Sequence, residues 1–277
     1  MNTLKVAAIQ MNSGEDVGAN LTRARRALRG AAAEGVQLAV LPENFACMAR
    51  READRVALAE EDGAGPLQDF LAAEAARSGM WIVGGTLPIK SDDAKRPYAA
   101  ALVYDGSGKR AGRYDKVHLF DVRLPESEEA YRESRSTMPG TAALLVDSPW
   151  GRIGVAICYD LRFPELFRWL SAEGADLIVL PAAFTFRTGK AHWEPLLRAR
   201  AIENLCYIVA AAQTGSHPAE RRTYGHSLIV DPWGAVIAEA AGRPAVVTAT
   251  IDSARLRTLR QQFPALEHRR FAGGARR

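Results

Sequence analysis

Apolar residues in this chain fall into two kinds of spacing. Short runs of four to eight, many of them rich in β-branched residues, stand at 6–11, 38–41, 81–87, 100–104, 144–147, 152–157, 177–180, 206–213, 226–230, 235–239 and 246–251. Each is too short for a helix and predicts a strand. Between them, 20–34 carries Leu21, Ala24, Leu28, Ala31 and Ala32 on one face, the signature of an amphipathic helix. Further helices are predicted over 66–77, 191–205 (Pro195 near its start) and 253–262. Another begins at Pro164, where Glu165, Leu166, Phe167, Trp169 and Leu170 follow a first-turn proline. Polar punctuation fits the gaps: 91–97 reads as a hairpin-like connection, and Ser148-Pro-Trp-Gly151 and Asp231-Pro-Trp-Gly234 each sit between two apolar runs as hairpin turns.

That order suggests an internal duplication. Leu38-Ala-Val-Leu41-Pro-Glu-Asn-Phe45 parallels Leu177-Ile-Val-Leu180-Pro-Ala-Ala-Phe184, each read as a strand stopped by proline and followed by a loop phenylalanine. Strands alternating with helices, with hairpins added, point to an α/β fold of two mixed sheets face to face and helices outside. No stretch reads as a linker, so one domain is expected over 1–270, with 271–277 a flexible C-terminal tail.

Composition narrows the class. The 277 residues are 48% apolar and 25% charged, ordinary for a soluble globular chain with a sizeable core. No apolar run is long enough to span a membrane, and the N-terminus lacks a signal-peptide layout. Cys47, Cys158 and Cys206 are scattered and odd in number, which points to reduced thiols and a cytoplasmic setting, and no CxxC pair suggests a zinc site. A net charge of +4, part of it in the tail after His268, comes with no nucleic-acid motif. No metal, cofactor, nucleic-acid or membrane partner is therefore expected.

The candidate chemistry centres on Arg152-Ile-Gly-Val-Ala-Ile-Cys158-Tyr-Asp-Leu-Arg162-Phe-Pro-Glu. A buried strand turns here into a helix, so Cys158 sits at a strand-to-helix elbow. Backbone N–H groups and the helix dipole at such an elbow can lower a thiol pKa; the plain alternative is a buried structural cysteine. A nucleophile there needs a base and an oxyanion site. Glu43 follows a buried strand, and on sequence alone a loop carboxylate in water is the default reading, a half-buried acid the alternative. Lys116 stands among Val117, Leu119 and Phe120, so it is packed and needs a partner. Glu133 lies in a polar loop and reads as solvent-facing.

Leu-Pro-Glu43, Tyr-Asp-Lys116-Val-His-Leu-Phe-Asp and Cys158-Tyr-Asp-Leu-Arg-Phe-Pro-Glu together resemble the Glu–Lys–Cys signature of the nitrilase superfamily of carbon–nitrogen hydrolases, in order and approximate spacing. Pro181-Ala-Ala-Phe184, Thr188-Gly-Lys-Ala-His-Trp193 and Tyr224-Gly-His-Ser-Leu-Ile-Val-Asp-Pro-Trp233 are similar to its Nit branch, which contains deaminated-glutathione amidases and ω-amidases. The resemblance implies a four-layer α-β-β-α sandwich and a homodimer packed through it. It also implies an amidase acting on a small-molecule amide, with Cys158 as nucleophile, Glu43 as base, Lys116 and the Tyr159 N–H at the oxyanion, and Glu133 positioning Lys116. Histidine is not required, which leaves His118 and His192 as structural hydrogen-bonders. Arg162 is placed to clamp a 2-oxo-acid carboxylate or to make a structural ion pair, and Phe184 to wall the pocket. Arg187, Lys190, Arg221 or Arg222 would meet a distal carboxylate. The loop 213–226 favours the deaminated-glutathione branch; ω-amidase, carbamoylase and nitrilase activity, or a scaffold without activity, are the competing readings.

Overall fold

A computed structural model of the chain describes residues 3–124 and 130–271; the tail expected over 271–277 lies, apart from Phe271, outside the described residues. In chain order the first half holds β1 (Thr3–Gln10), α1 (Val17–Ala33), β2 (Leu38–Val40), α2 (Glu52–Ala57), α3 (Pro66–Ser78), β3 (Trp81–Val83), β4 (Leu87–Ile89), β5 (Tyr98–Tyr104), β6 (Arg110–Asp115), β7 (Asp121–Arg123) and β8 (Ala130–Arg132). The second half holds β9 (Leu144–Ser148), β10 (Gly151–Val155), a 3₁₀ turn at Cys158–Arg162, α4 (Pro164–Ala172), β11 (Ala175–Ala182), α5 (Phe186–Asn204) and β12 (Tyr207–Ala212). It closes with β13 (Thr214–Ser216), β14 (Arg222–Tyr224), β15 (Leu228–Val230), β16 (Val236–Glu239), β17 (Ala245–Asp252) and α6 (Ser253–Gln262).

Two mixed sheets result. The first runs β17-β1-β2-β3-β5 with β4 and β6 also on β5; the second runs β16-β15-β12-β11-β10-β9. In each, three parallel strands joined by helices (β1-β2-β3 and β10-β11-β12) are flanked by antiparallel ones. The two strings that look duplicated in the sequence form β2 and β11, the middle strand of each parallel trio.

Side-chain alternation builds the layers. Val6, Ala8, Leu38, Val40, Val83, Ala101 and Val103 face the second sheet and join its core. Their neighbours Ala7, Ile9, Ala39, Leu41, Ile82, Ala100 and Leu102 point the other way, onto Ala24, Leu28 and Ala31 of α1 and Leu67, Phe70 and Leu71 of α3. The second sheet covers its outer face with α4 and α5, whose Phe167, Leu170, Trp193 and Leu197 are buried. The order is α–β–β–α.

Three expectations need correction. The strand expected over 81–87 is broken at Gly84–Gly85, because Gly85 has a left-handed φ of 56° and a Cβ there would strike the Pro42 carbonyl. Pro181 does not stop its strand: β11 continues to Ala182, pairing Pro181 with Ala211. The β10 ladder ends at Val179, so the missing N–H forfeits no bond on that side. The helix expected over 191–205 begins earlier, at Phe186, with Thr185 as its cap accepting from Thr188 N at 3.5 Å. Pro195 is thus interior, on an exposed face where water can take up the Ala191 carbonyl it leaves without a helical donor.

Candidate active site

The C-terminal ends of the parallel strands meet at one mouth of the sandwich, where open α/β sheets place their ligand sites. A cavity of about 850 Å³ opens there, and Glu43, Lys116, Glu133, Cys158, Tyr159, Arg162, Phe184 and Arg187 all line it. Lys190 does not. Glu43 hangs from the end of β2, Lys116 from β6, Cys158 from β10 and Phe184 from β11. The first two belong to one sheet and the last two to the other.

Glu43 is only 3% exposed, which overturns the solvated reading: the chain after Pro42 turns inward through Asn44, held left-handed at φ 56° with its N–H donating to Thr86 Oγ1 at 2.8 Å. From the opposite sheet, Gln213 Nε2 donates to the Glu43 carbonyl at 3.1 Å and to Ser13 Oγ at 2.9 Å. Lys116, 2% exposed, is fixed by its backbone: its N–H donates to Ala99 O and its carbonyl accepts from Gly140 N, at 3.0 and 2.9 Å. A Cβ at Gly140 would strike the Asp115 carbonyl.

The Lys116 ammonium donates to Glu43 Oε1 at 2.8 Å and to both Glu133 oxygens at 3.0 and 2.9 Å. Glu133 is therefore not solvent-facing. Its side chain is 20% exposed and also accepts from Phe120 N at 2.7 Å, because a 3₁₀ turn at Glu133–Arg135 folds it back over the lysine. Removing one member of so buried a set costs roughly 3–5 kcal/mol, since the others are left uncompensated.

Cys158 lies at the elbow with φ 45°, opening the 3₁₀ turn. The turn is pinned by Asp160, which is fully buried. Oδ2 accepts from Ile157 N and from the Tyr114 hydroxyl, both at 2.8 Å; Oδ1 accepts from His118 N at 3.1 Å and lies 2.7 Å from His118 Nδ1. Tyr114 and His118 flank Lys116, so one carboxylate ties the cysteine elbow to the lysine segment. Arg200 of α5 adds two bonds to the Leu161 carbonyl at 3.1 and 2.9 Å. No role for Asp160, Tyr114, Arg200 or Gln213 is readable from the sequence pattern; the available signal was an acid two residues past a candidate nucleophile in an apolar turn. The histidines hydrogen-bond as expected: His118 to Asp160, stacked on Phe163 with centroids 3.7 Å apart, and His192 Nδ1 to Arg162 Nη1 at 3.1 Å.

Electrostatics divides the groups sharply. Burial pushes the Glu43 carboxyl up, but the Lys116 charge and hydrogen bond, with help from Cys158 and Arg221, hold it below the ordinary carboxylate value. Burial opposes charge on Lys116 as well, yet Glu133, Glu43 and Cys158 keep the ammonium well above the usual lysine range. The Cys158 thiol goes up, chiefly by burial and then by the Glu43 charge, with Lys116 and the Ala183 N–H opposing. The elbow therefore does not lower this thiol, contrary to the expectation from the helix dipole. The two shifts run in opposite directions, leaving Cys158 a thiol beside an ionised Glu43.

Among the described residues, the cavity is lined by nine arginine or lysine side chains against three glutamates. Of the six non-glycine residues with left-handed φ among the described residues, four lie in its wall, namely Asn44, Cys158, Ala219 and Glu220. Strain of this kind collects where surrounding structure holds a functional geometry. No group of three or more His, Cys, Asp or Glu among the described residues is arranged to hold a metal, and no helix among them is long and apolar enough to cross a membrane.

Comparison with known proteins accords with this architecture. A deaminated glutathione amidase of Yersinia enterocolitica is 43% identical over 98% of this chain and 94% of its own length. The human deaminated glutathione amidase is 41% identical over 96% of this chain and 82% of its own. The crystal structure of the Caenorhabditis elegans NitFhit protein superposes with a TM-score of 0.91 at 40% identity, covering 98% of this chain and 66% of that one. That of Saccharomyces cerevisiae Nit3, a member of branch 10 of the nitrilase superfamily, gives 0.87 at 32% identity, covering 98% and 97%. The carbon–nitrogen hydrolase family model matches residues 5–261, and with the sandwich and the cysteine elbow described above, the chain belongs to the carbon–nitrogen hydrolase family.

Proposed function

We propose that this amidohydrolase cleaves deaminated glutathione to 2-oxoglutarate and cysteinylglycine. The observation that carries the substrate class is the cationic excess of the cavity: a substrate with a carboxylate at each end of a cleavable amide matches it in charge. The names of relatives above 40% identity point to the same compound.

In this reading Cys158 Sγ attacks the amide carbon as Glu43 takes the thiol proton. The Lys116 ammonium and the N–H of Tyr159, second residue of the 3₁₀ turn, receive the oxyanion, and Glu133 holds the lysine in place. Collapse breaks the C–N bond, Glu43 passing its proton to the departing amine. Water then adds to the thioester with Glu43 as base, the C–S bond breaks, and the thiol regains a proton. Arg162 clamps the 2-oxo-acid carboxylate. Its guanidinium lies over Phe184 and Tyr159, 5.3 and 5.8 Å from the ring centroids, and leans on His192, so it is oriented without a carboxylate partner among the described residues. Phe184 and Arg187 complete the wall.

The free state of Cys47, Cys158 and Cys206 supports a cytoplasmic setting. A homodimer is proposed with the family. Exposed Ile202, Trp233 and Phe263, the two rings 5.5 Å apart, form an apolar face that sedimentation of a Trp233→Glu variant would test. The deciding experiment compares deaminated glutathione with 2-oxoglutaramate at matched low concentration. A higher kcat/KM for the first supports the proposal, and a clear preference for the second makes the chain an ω-amidase.

A further inference from the structure

The loop between β13 and β14 forms part of the cavity wall and is tied down at its base by hydrogen bonds. His217 N donates to Arg221 O at 2.8 Å, and the buried His217 ring bridges Ser13 O at 2.9 Å and Thr223 Oγ1 at 2.6 Å. At the tip, Ala219 and Glu220 both adopt left-handed φ, 56° and 58°. Two consecutive side-chain-bearing residues in that region cost on the order of 1–2 kcal/mol each, so the turn is held by its surroundings. What the turn presents is Arg221. Its Nη2 donates to Ala183 O at 3.3 Å, and its Nε is buried with no acceptor among the described residues. Of the other cavity arginines, Arg50 pairs with Glu15, Arg51 with Asp54, and Arg55 binds Ser136 and Thr137, while Arg162 and Arg222 lie over aromatic rings. Arg221 makes no ion pair among the described residues, yet its charge is felt at Glu43. A partly buried cation with no carboxylate in contact is costly, and an anionic ligand is the partner that would pair with it directly.

Position says which end of the ligand. The departing nitrogen must face Glu43, which protonates it, whereas the acyl side runs toward Arg162. We propose that Arg221 binds the carboxylate of the leaving group, making it the residue that selects an anionic peptide amine over ammonia. This rests on the reading of the reaction given above and adds a division of labour: Arg162 reads the acyl half and Arg221 the amine half.

The test uses three substrates: the 2-oxoglutaryl amide of cysteinylglycine, the same compound ending in glycinamide, and 2-oxoglutaramate. Each is measured with the wild-type chain, Arg221→Gln and Arg221→Lys. Loss of a charge-assisted bond at a desolvated site predicts a fall in kcat/KM of roughly 10- to 100-fold for Arg221→Gln on the dipeptide acid. On the glycinamide and on 2-oxoglutaramate the fall should stay below about threefold, and the lysine variant should lie between. The wild type should itself lose roughly 10- to 100-fold on capping the carboxylate, with no further loss when capping and Arg221→Gln are combined. Ratios between substrates within one variant are independent of how much of it folds. Equal losses on all three substrates overturn the assignment of Arg221 alone. A wild-type chain that cleaves 2-oxoglutaramate but neither dipeptide amide overturns the substrate reading, and this inference with it.

Discussion

Asp160→Asn replaces one oxygen by an NH₂ group and leaves shape almost unchanged, yet the structure predicts a large effect. Each carboxylate oxygen faces one donor that can adapt and one that cannot. Oδ2 meets the Tyr114 hydroxyl, which can rotate to accept, but also Ile157 N–H. Oδ1 meets His118 Nδ1, which can change tautomer, but also His118 N–H. Whichever way the amide is placed, an N–H opposes an N–H in a site with no solvent exposure. One unmade buried bond costs about 1–3 kcal/mol, and bonds to the surviving neutral oxygen weaken as well, so a total near 2–4 kcal/mol is expected. Because the same carboxylate joins the elbow to the segment carrying Lys116, kcat should fall by about 100-fold in the fraction that remains folded, with KM much less affected. Urea unfolding gives the first number, and steady-state kinetics corrected for folded fraction gives the second. A variant within about 0.5 kcal/mol and threefold of the parent would show that Asp160 is a passive filler and that the elbow is positioned by other means.

Glu43→Gln should fold yet lose at least about a hundredfold in turnover, and rapid quenching of the wild type should place an acyl adduct on Cys158; more than about a tenth of the rate retained, or adducts on Cys47 or Cys206, refutes the assignment. Arg162→Lys should cost roughly 1.5–3 kcal/mol, one to two decades in kcat/KM, for substrates with a 2-oxo-acid carboxylate and little for a neutral amide; equal losses would make Arg162 a structural part of the elbow. Because Glu43 is held below its ordinary value, it stays ionised as pH falls past 4.5, and its contribution to stability is present above that value and is lost only on passing through the lower folded pKa. The acid limb of kcat/KM should therefore lie below pH 4.5 or be cut off by unfolding, and an acid limb near about pH 6 in folded enzyme refutes it.

How much of this was legible in the sequence depended on distance along the chain. Layer order and strand–helix alternation follow from local periodicity, and the elbow from five apolar residues ending at a cysteine before Pro164. Glu43 and Glu133 could not be read as buried, because what buries them is remote: Lys116 is 73 residues from one and 17 from the other. Pro181 deceived for the same reason, since its tolerance depends on where β10, a separate strand, stops. The first turn of α5 is set from a distance too: Gly189 is small so that Tyr224 of β14 can pack against it. Asp160 lay in plain sight, but four donors from two segments give it its role.

The division of the site between the sheets bears on how the molecule reaches its working state. Glu43 and Lys116 are delivered by one sheet and Cys158 by the other, so neither half contains a rudimentary centre that docking then improves. Contacts across the sandwich join residues far apart in sequence and are the slow part of assembly. During refolding, recovery of turnover should follow the closing of the two sheets and not the earlier appearance of helices and strands. Catalysis then reports on the final step of folding, and a collapsed species with undocked sheets would carry a full complement of site residues and no activity.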